Sequence, residues 1–281
     1  MGETLLAAEA GSSGRRPLEG RVALVTGSGR GLGRTIAEAL MRLGADLVLH
    51  DINEQAPAQF GEFESLSALA AALTRNASRA MAVTGDITDN AAVEKMVAAG
   101  QDQLGPISIL VNCAGGDIGA RGTKPNPNTP TDFEVEDVQA VVNRNLIGTM
   151  LMCRAIAPGM AARQQGSIVN VGSVSAHAGI ATEVGYACAK AAVLHYTRCL
   201  ALEMRPHGVR VNAISPGPAK TARFLATRET DPVMMEEGPS LVRYGTPSEI
   251  ADAVSFLSSD DARFVSGQVL RVDGGAGLYP G

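Results

Sequence analysis

The sequence predicts an α/β fold in which one doubly wound parallel sheet of seven strands carries helices on both faces. Short aliphatic runs alternate along the chain with stretches of helical periodicity, which is the pattern of βαβ units with right-handed crossovers. A glycine-rich turn follows the first aliphatic run. The length of 281 residues, 45% of them hydrophobic, suits a single large domain.

Composition narrows the class of function. The net charge is −5 and no long basic run is present, which argues against nucleic acid as a partner. No window of ~18 consecutive apolar residues occurs, so we predict no membrane span. The four cysteines show neither a Cys-x-x-Cys pair nor histidine spacing for zinc. We therefore expect no metal site, buried thiols, and a cytoplasmic protein that acts on a small molecule.

The first residues do not fit the domain pattern. An acid at Glu3 precedes a short apolar patch at residues 5–8, and the arginines come only afterwards. A secretory signal needs its positive charge before a longer apolar core. We predict a flexible N-terminal leader over residues 1–17 and one domain over residues 18–281.

The first strand is predicted at residues 22–25, and a glycine loop and a helix follow it. The loop reads Thr26-Gly27-Ser28-Gly29-Arg30-Gly31-Leu32-Gly33, and the helical spacing comes from Ile36, Ala37, Leu40 and Leu43. Glycines let the backbone approach a pyrophosphate, and a helix N-terminus offers it unpaired N–H groups. Strand, loop and helix in this order predict a dinucleotide site.

A second strand at residues 46–50 leads to Asp51. A carboxylate here can accept hydrogen bonds from ribose hydroxyls and repels a 2′-phosphate, which favours NAD over NADP. Arg30 argues the other way, because a guanidinium in the glycine loop could bind that phosphate. We give Asp51 more weight, since a carboxylate facing a phosphate is repulsive. The alternative interpretation of Asp51 is an ordinary turn residue before Ile52.

The next elements complete the first half of the sheet. We predict helices at residues 62–76 and 91–104, the latter capped by Asp89, and strands at residues 80–83 and 107–111. Asp86-Ile87 follows the third strand, where Asp86 could contact an adenine amino group or serve only as a turn residue. The small residues of Asn112-Cys113-Ala114-Gly115-Gly116 after the fourth strand would let a cofactor pass closely.

A loop rich in proline, glycine and asparagine spans residues 116–132 at the same edge of the sheet. Arg121 and Lys124 in this loop could bind an anionic substrate or be solvated charges. A long helix follows from about Val135. It carries Asn145 among apolar neighbours, where a buried amide needs a hydrogen-bond partner.

The second half of the sheet has predicted strands at residues 167–171, 209–214 and 268–272. The first of these ends at Gly172-Ser173, and the next at Ser215-Pro216-Gly217-Pro218, with Thr221 beyond it. Residues 222–244 are polar and are predicted to form a mobile lid over the substrate. Thr246-Pro247-Ser248-Glu249 is a capping box that begins a helix to Leu257.

Tyr186 and Lys190 are four residues apart in the helix predicted at residues 186–205, so both side chains leave one face of it. A phenol is a poor base at its usual pKa of about 10. A nearby ammonium would lower that pKa, and bringing it near neutrality takes roughly 3–4 kcal/mol. The spacing alone is weak, because a solvated helix face gives the same pattern.

Together the motifs resemble the short-chain dehydrogenase/reductase family, of the short single-domain type, over about residues 18–275. The elements come in the family's order: Thr26 through Gly33, Asp51, Asp86, Asn112 through Gly115, Asn145, Ser173, Tyr186 with Lys190, Pro216-Gly217 with Thr221, and Asp273-Gly274-Gly275. One departure is Cys113, where the family usually has a second asparagine.

The resemblance implies a Rossmann-type domain that transfers a hydride between NAD(H) and a secondary alcohol or ketone. It implies catalytic roles for Asn145, Ser173, Tyr186 as acid/base, and Lys190. The cofactor contacts that it implies are Gly27, Ser28, Arg30, Gly31, Leu32, Gly33, Asp51, Ile52, Asp86, Ile87, Asn112, Ala114, Gly115, Tyr186, Lys190, Ile214, Pro216, Gly217 and Thr221. It also implies a homotetramer or homodimer, for which the helices around Val142 and Val193 are candidate interfaces.

Two alternatives stay open at this point: an NADPH-dependent 3-oxoacyl-type ketoreductase and a non-catalytic dinucleotide-binding protein. The substrate has no local code, but Arg121, Lys124, Lys220 and Arg223 permit a carboxylated or sulfonated sugar, polyol or hydroxy acid. We expect His177 to line the substrate pocket, His50 and His207 to lie at the surface, and His195 to pack within its helix.

Overall fold

The computed structural model describes residues 16–74, 78–236 and 238–278. Its main sheet consists of β1 Val22–Thr26, β2 Asp46–Asp51, β3 Ala80–Thr84, β4 Ile107–Asn112, β5 Gly166–Val171, β6 Val209–Pro216 and β7 Val269–Val272. The helices are α1 Gly31–Arg42, α2 Leu66–Leu73, α3 Asn90–Leu104, α4 Val135–Val142, α5 Gly148–Ala162, α6 Val184–Met204, α7 Ala222–Thr227, α8 Pro232–Met235 and α9 Pro247–Ser258. Most of the predicted leader lies outside the described residues.

The seven strands are all parallel and lie in the order β3-β2-β1-β4-β5-β6-β7. The chain builds outward from β1 to β3 and then returns to place β4 on the other side of β1. In doubly wound sheets a ligand binds in the crevice at this reversal, outside the carboxyl ends of the strands. The glycine loop after β1 and the small-residue turn after β4 face each other there.

Side chains of β1 alternate between two hydrophobic cores, one on each face of the sheet. Ala23 and Val25 pack with α1, α2 and α9 on one face, whereas Val22 and Leu24 pack with α3, α5 and α6 on the other. All of these strand residues are buried. This arrangement confirms the predicted doubly wound α/β fold with helices on both faces.

Two predicted helix caps are confirmed. Asp89 Oδ1 accepts the N–H of Ala91 at 2.9 Å at the start of α3. At the start of α9, Thr246 Oγ1 accepts the Glu249 N–H at 3.3 Å, and the Glu249 carboxylate accepts the Thr246 N–H at 2.7 Å. Reciprocal caps of this kind satisfy backbone donors that the helix itself leaves unpaired.

The prediction of a helix at residues 62–76 is wrong about where the helix begins. A 3₁₀ turn at Ala56–Phe60 comes first, and Gly61 leaves it with a left-handed φ of 68°. α2 begins only at Leu66, because Ser65 caps it by accepting the Ala68 N–H at 3.0 Å. The helix ends at Leu73, and residues 75–77 lie outside the described ranges.

Three other segments have more structure than predicted. The loop at residues 116–132 contains a strand at Asn128–Thr129 that pairs with Asp132–Phe133. Residues 222–244 contain α7 and α8. The long helix predicted from Val135 is divided into α4 and α5 by a π-helical segment at Asn143–Ile147.

Several expectations about burial are also wrong. His50 is buried rather than at the surface, whereas His195 is exposed rather than packed. Cys188 and Cys199 are exposed, while Cys153 is buried and Cys113 is half-buried; all four are free thiols. Val193 is buried inside the chain, so its own side chain cannot form an interface. None of the described helices is both long enough and apolar enough to span a membrane.

Gly33→Ala tests the contact between the glycine loop and α1. A Cβ at Gly33 would lie 2.1 Å from the Gly27 carbonyl oxygen, so the backbone must move. We expect the free energy of unfolding to fall by about 3 kcal/mol, measured by urea denaturation. The control is Gly179→Ala, where nothing lies within 4 Å of the added Cβ, and where the change should stay within ~0.5 kcal/mol. Equal losses in the two variants would contradict this account.

Candidate functional site

A cavity of about 530 Å³ opens at the carboxyl ends of β1, β2, β3 and β4. It brings together twelve of the predicted cofactor residues, which are Gly27, Arg30, Gly31, Leu32, Gly33, Asp51, Ile52, Asp86, Ile87, Ala114, Gly115 and Thr221. Ser28, Asn112, Pro216 and Gly217 are not among its lining residues, and neither is any member of the predicted catalytic set.

The glycine loop is locked to the end of β4. Thr26 Oγ1 accepts the N–H groups of Cys113 and Ala114, each at 3.0 Å. Gly27 has a left-handed φ of 65°, and a Cβ there would lie 2.9 Å from Ala114 Cα. Only glycine allows this approach. The resulting backbone cradle at the N-terminus of α1 fits the diphosphate of a dinucleotide.

Ser28 faces β2 and not the cavity. Its hydroxyl accepts the His50 N–H at 2.9 Å and donates to the His50 carbonyl at 3.3 Å. The His50 ring in turn spans Gly27 N at 3.4 Å and Gly85 O at 3.0 Å. These partners assign the proton to Nε2, which donates to Gly85. Burial lowers the pKa of His50. The neutral imidazole therefore links β2 to the end of β3 by its hydrogen bonds.

The Asp51 carboxylate is fixed at the carboxyl end of β2. Oδ1 accepts the Ile52 N–H at 2.8 Å, and Oδ2 accepts the Gly29 N–H at 3.1 Å. A Cβ at Gly29 would lie 2.8 Å from Oδ2, so the glycine makes room for this contact. Asp51 therefore holds the glycine loop as well as lining the cavity.

Arg30 is already engaged by the protein. Its guanidinium donates to the Ala56 carbonyl at 3.3 Å and to the Gln59 side chain, and it lies 5.2 Å from the centre of the Phe60 ring. These contacts hold the 3₁₀ turn against the glycine loop. They give the guanidinium a structural role beside the phosphate contact that the sequence suggested.

Glu62 is a cavity residue that the sequence analysis missed. The Gly31 N–H at the start of α1 is shared between its two carboxylate oxygens, at 3.0 and 2.8 Å. Arg34 donates to the Glu62 carbonyl at 2.8 Å. The carboxylate thus takes a helix-terminal donor that an anionic ligand would use. No local signal marks this glutamate, because its position depends on how residues 56–65 fold back onto α1.

Asn145 lies at the centre of the π-helical segment and is fully buried. Its amide donates to the carbonyls of Val141 at 2.8 Å and Gly116 at 2.9 Å, and its Oδ1 accepts the Gly116 N–H at 3.0 Å. A π turn widens the helix at such a site. The buried amide was predicted to need a hydrogen-bond partner, and Gly116 in the turn after β4 is one such partner.

Lys190 is buried behind the same turn. Its ammonium donates to the Val171 carbonyl at 2.7 Å and lies 5.7 Å from the centre of the Tyr186 ring. A Cβ at Gly115 would lie 2.5 Å from Asn145 Oδ1 and 3.3 Å from Lys190 Nζ. Burial lowers the pKa of Lys190 to about 8, against a smaller raising effect from Cys113.

Tyr186 does not show the predicted lowering of its pKa. The residue is half-buried by surface area, but its phenol group is surrounded by protein, and this burial raises its pKa. A hydrogen bond with Ser173 lowers the pKa by less, and the charge of Glu183 raises it. The Lys190 ammonium points to Val171 rather than to the phenol. Tyr186 therefore holds its proton.

The remaining predicted residues lie around this centre. Ser173 Oγ accepts the Ser175 N–H at 3.2 Å and pairs with Tyr186. His177 bonds to Ser215 Oγ at 2.9 Å instead of forming a serine–histidine pair with Ser173. The Asn112 amide points into the interior, where it donates to Asn170 Oδ1 at 2.9 Å.

Pro216 and Gly217 lie at the end of β6, beside the last strand. The Gly217 N–H donates to the Val272 carbonyl at 3.0 Å, and a Cβ on Gly217 would lie 3.0 Å from Asp273. Ile214 is fully buried in β6 and faces one of the two cores. Ile214 therefore packs in the core beneath the end of β6 and does not face the cavity.

Comparison with known proteins agrees with this geometry. The family model described as enoyl-(acyl carrier protein) reductase matches residues 27–277. A solved structure of a short-chain dehydrogenase/reductase family protein has a TM-score of 0.75 and 35% sequence identity, over 92% of this chain and 98% of the other. The chain belongs to the short-chain dehydrogenase/reductase family. It is an oxidoreductase of the group that acts on CH–OH groups.

Two relatives of this short-chain dehydrogenase/reductase are named for different reactions. Cyclohexanol dehydrogenase of Rhodococcus sp. (strain TK6) is 36% identical over 268 residues, covering 92% of this chain and 97% of that protein. The 3-oxoacyl-[acyl-carrier-protein] reductase FabG of Vibrio harveyi is 33% identical over 258 residues, covering 92% and 98%.

Cysteine and metal chemistry have no support at this site. Burial raises the pKa of the Cys113 thiol to about 12, so the cysteine that departs from the family pattern is not a thiolate nucleophile. Its backbone N–H keeps the bond to Thr26, and the turn is intact. Among the residues that the structure describes, no group of three or more histidines, cysteines or acids is arranged to hold a metal ion.

The buried ammonium of Lys190 makes a testable contribution to stability. Its pKa falls from 10.5 to about 8 on folding, so between these values the unfolded chain binds more protons than the folded enzyme. The free energy of unfolding of the wild type, relative to Lys190→Met, should therefore rise from about pH 8 to pH 10.5, by about 3 kcal/mol at most. Urea denaturation across this range measures the difference. A difference that is flat or falls with pH would contradict the assigned burial.

Proposed function

We propose that this enzyme transfers a hydride between NAD(H) and a secondary alcohol or ketone, with Tyr186 as the acid/base. The observation that carries the proposal is the meeting of Asn145 and Lys190 at Gly115, next to the hydrogen-bonded pair Tyr186 and Ser173. This cluster adjoins the cavity at Gly115.

The cavity offers each part of a dinucleotide a matching surface. The N-terminus of α1 and the backbone of Gly27, Gly31, Leu32 and Gly33 would hold the diphosphate. Asp51, Ile52, Asp86 and Ile87 would hold the adenosine, and Ala114, Gly115 and Thr221 would hold the nicotinamide half. Lys190, Pro216 and Gly217 do not line the cavity and are proposed as further contacts of the nicotinamide half. When bound, the cofactor supplies the hydride acceptor or donor.

Residues of the chain would transfer the proton to and from the substrate oxygen. Tyr186 gives a proton to the substrate oxygen during reduction and takes one during oxidation. Ser173, hydrogen-bonded to the phenol, positions the same oxygen. Lys190, with a pKa of about 8, can exchange a proton in the physiological range. Asn145 fixes the turn at Gly116 and so holds the wall between Lys190 and the cavity.

Preference for NAD over NADP is part of the proposal. Asp51 and Glu62 place two carboxylates in the cavity, at the end of β2 and at the N-terminus of α1. Negative charge there opposes a 2′-phosphate. The guanidinium of Arg30, which argued for NADP, is held by Ala56, Gln59 and Phe60.

An NADPH-dependent 3-oxoacyl-type ketoreductase is the second candidate, supported by the similarity to the reductase of Vibrio harveyi. A non-catalytic dinucleotide-binding protein is the third. Against it stands the presence of all four residues Asn145, Ser173, Tyr186 and Lys190, with Asn145 and Lys190 meeting at Gly115 and Tyr186 beside Ser173. The substrate itself is proposed to be a small alcohol or ketone such as a sugar, polyol or hydroxy acid.

We also propose a cytoplasmic homodimer or homotetramer. Four free thiols suit a reducing compartment. The exposed apolar side chains include Phe256 on α9, Phe264 after it and Leu270 on the edge strand β7, as well as Ile147 and Met150 at the start of α5. Exposed apolar groups of this kind favour association. Sedimentation analysis tests the assembly, and a monomer at micromolar concentration would refute it.

Tyr186→Phe tests the acid/base assignment. Removing the phenol oxygen should reduce turnover by at least about 10²-fold, because Tyr186 is the proposed proton donor and acceptor for the substrate oxygen. Binding of NADH, followed by fluorescence, should change by less than about threefold. The matched control is Tyr196→Phe on the same helix, which packs against the core and should keep its activity. Full turnover in the Tyr186 variant would overturn the assignment.

Asp51→Asn tests the cofactor preference. The amide keeps one acceptor oxygen, for either the Ile52 or the Gly29 N–H group, and removes the charge. The ratio of NADPH to NADH affinity should therefore rise about tenfold. Fluorescence titration with each cofactor measures this ratio, and Asp86→Asn is the control at another carboxylate of the cavity. A wild type that prefers NADPH would instead support the 3-oxoacyl-type reductase.

A further inference from the structure

Arg223 stands at the second position of α7, and its side chain spans the cavity to the turn after β4. The two terminal nitrogens and Cζ of its guanidinium lie 2.9, 3.3 and 3.5 Å from the position of a Cβ on Gly116. The side chain is half-buried and lines the same cavity as Gly31 and Gly115. Arg223 thus reaches from α7 to Gly116, the residue that bonds to Asn145, beside the proposed catalytic cluster.

The guanidinium of Arg223 makes no hydrogen bond or ion pair with any residue in the described ranges. The acids nearby are occupied. Glu183 binds Lys124 at 2.6 Å and Arg228 at 3.1 Å, and Asp117 accepts from Asn128 at 3.1 Å. The Asp51 and Glu62 carboxylates accept backbone N–H groups of the glycine loop.

The other arginines around the cavity differ from Arg223 in this respect. Arg30 binds the Ala56 carbonyl, Arg144 donates to the Ile118 carbonyl at 2.5 Å, and Arg228 pairs with Glu183. The repulsion of these cations adds to the cost of burying Arg223, and burial lowers its pKa. A half-buried guanidinium without acceptors is unfavourable unless a ligand supplies them.

We propose that Arg223 binds an oxyanion of the ligand that fills the cavity. A planar guanidinium presents paired N–H donors that match a carboxylate, sulfonate or phosphate. Two sources have this chemistry: an acidic group on the alcohol or ketone substrate, and the diphosphate of the dinucleotide. The inference rests on the proposed function and adds an anion-binding residue to it.

The first arm of the test is independent of turnover. Calorimetric titration with ADP-ribose compares the wild type, Arg223→Gln, Arg223→Lys and the control Arg42→Gln, an exposed arginine at the end of α1. If the diphosphate is the partner, the dissociation constant rises about tenfold or more in Arg223→Gln, recovers in part in Arg223→Lys, and is unchanged in the control. Binding of adenosine, which lacks phosphate, stays the same in all four proteins.

The second arm addresses the substrate. It compares kcat/KM for hydroxy acids with that for their amides, in the same variants. If the substrate supplies the anion, Arg223→Gln reduces the preference for the acid about tenfold or more and leaves ADP-ribose binding unchanged. Circular dichroism and the melting temperature check that each variant folds.

Unchanged ADP-ribose binding, together with an unchanged or undetectable preference for the acid, overturns the role of Arg223. A wild type that binds ADP-ribose but reduces no ketone and oxidises no alcohol refutes the proposed function instead. The two failures are therefore distinguishable.

Discussion

The site depends on the close approach of Asn145 and Lys190 to the backbone of Gly115, which leaves no room for a side chain there. A Cβ there would lie 2.5 Å from Asn145 Oδ1 and 3.3 Å from Lys190 Nζ. This turn ends β4, Asn145 comes from the π segment between α4 and α5, and Lys190 comes from α6. Three distant parts of the chain meet at one backbone position, and the next residue, Gly116, supports the guanidinium of Arg223. A side chain at position 115 would displace Asn145 and Lys190, which are proposed to act in catalysis.

Burial affects the protonation of Tyr186 and Lys190 more than their mutual charge does. It raises the pKa of Tyr186 and lowers the pKa of Lys190 to about 8, because both charged forms lose solvation. The ammonium is bonded to the Val171 carbonyl and faces the tyrosine ring rather than its oxygen. Tyr186 therefore keeps its proton, whereas Lys190 loses its proton more readily than an exposed lysine does.

Charge is distributed unequally along the cavity. Carboxylates of Asp51 and Glu62 lie at the glycine loop, where backbone N–H groups bind them. Guanidiniums of Arg144 and Arg223 line the part near Gly115. An anionic ligand therefore meets N–H donors that are already shared with carboxylates at one end of the cavity. At the other end it meets the Arg223 guanidinium, which has no hydrogen-bond or ion-pair partner among the described residues. This contrast makes Arg223 more available to an anion than the N–H groups of the glycine loop.

Local patterns were enough to predict the sheet, the glycine loop, the capped starts of α3 and α9, and the candidate set of Asn145, Ser173, Tyr186 and Lys190. These features rest on local periodicity and on motifs whose spacing along the chain is enough to identify them. Other contacts became visible only in the folded chain: Ser28 and Asn112 turn into the interior, Glu62 reaches Gly31, and Arg223 crosses to Gly116. Each of these contacts joins segments far apart in the chain. The direction of a side chain depends on which segment packs beside it, and no local pattern carries that information.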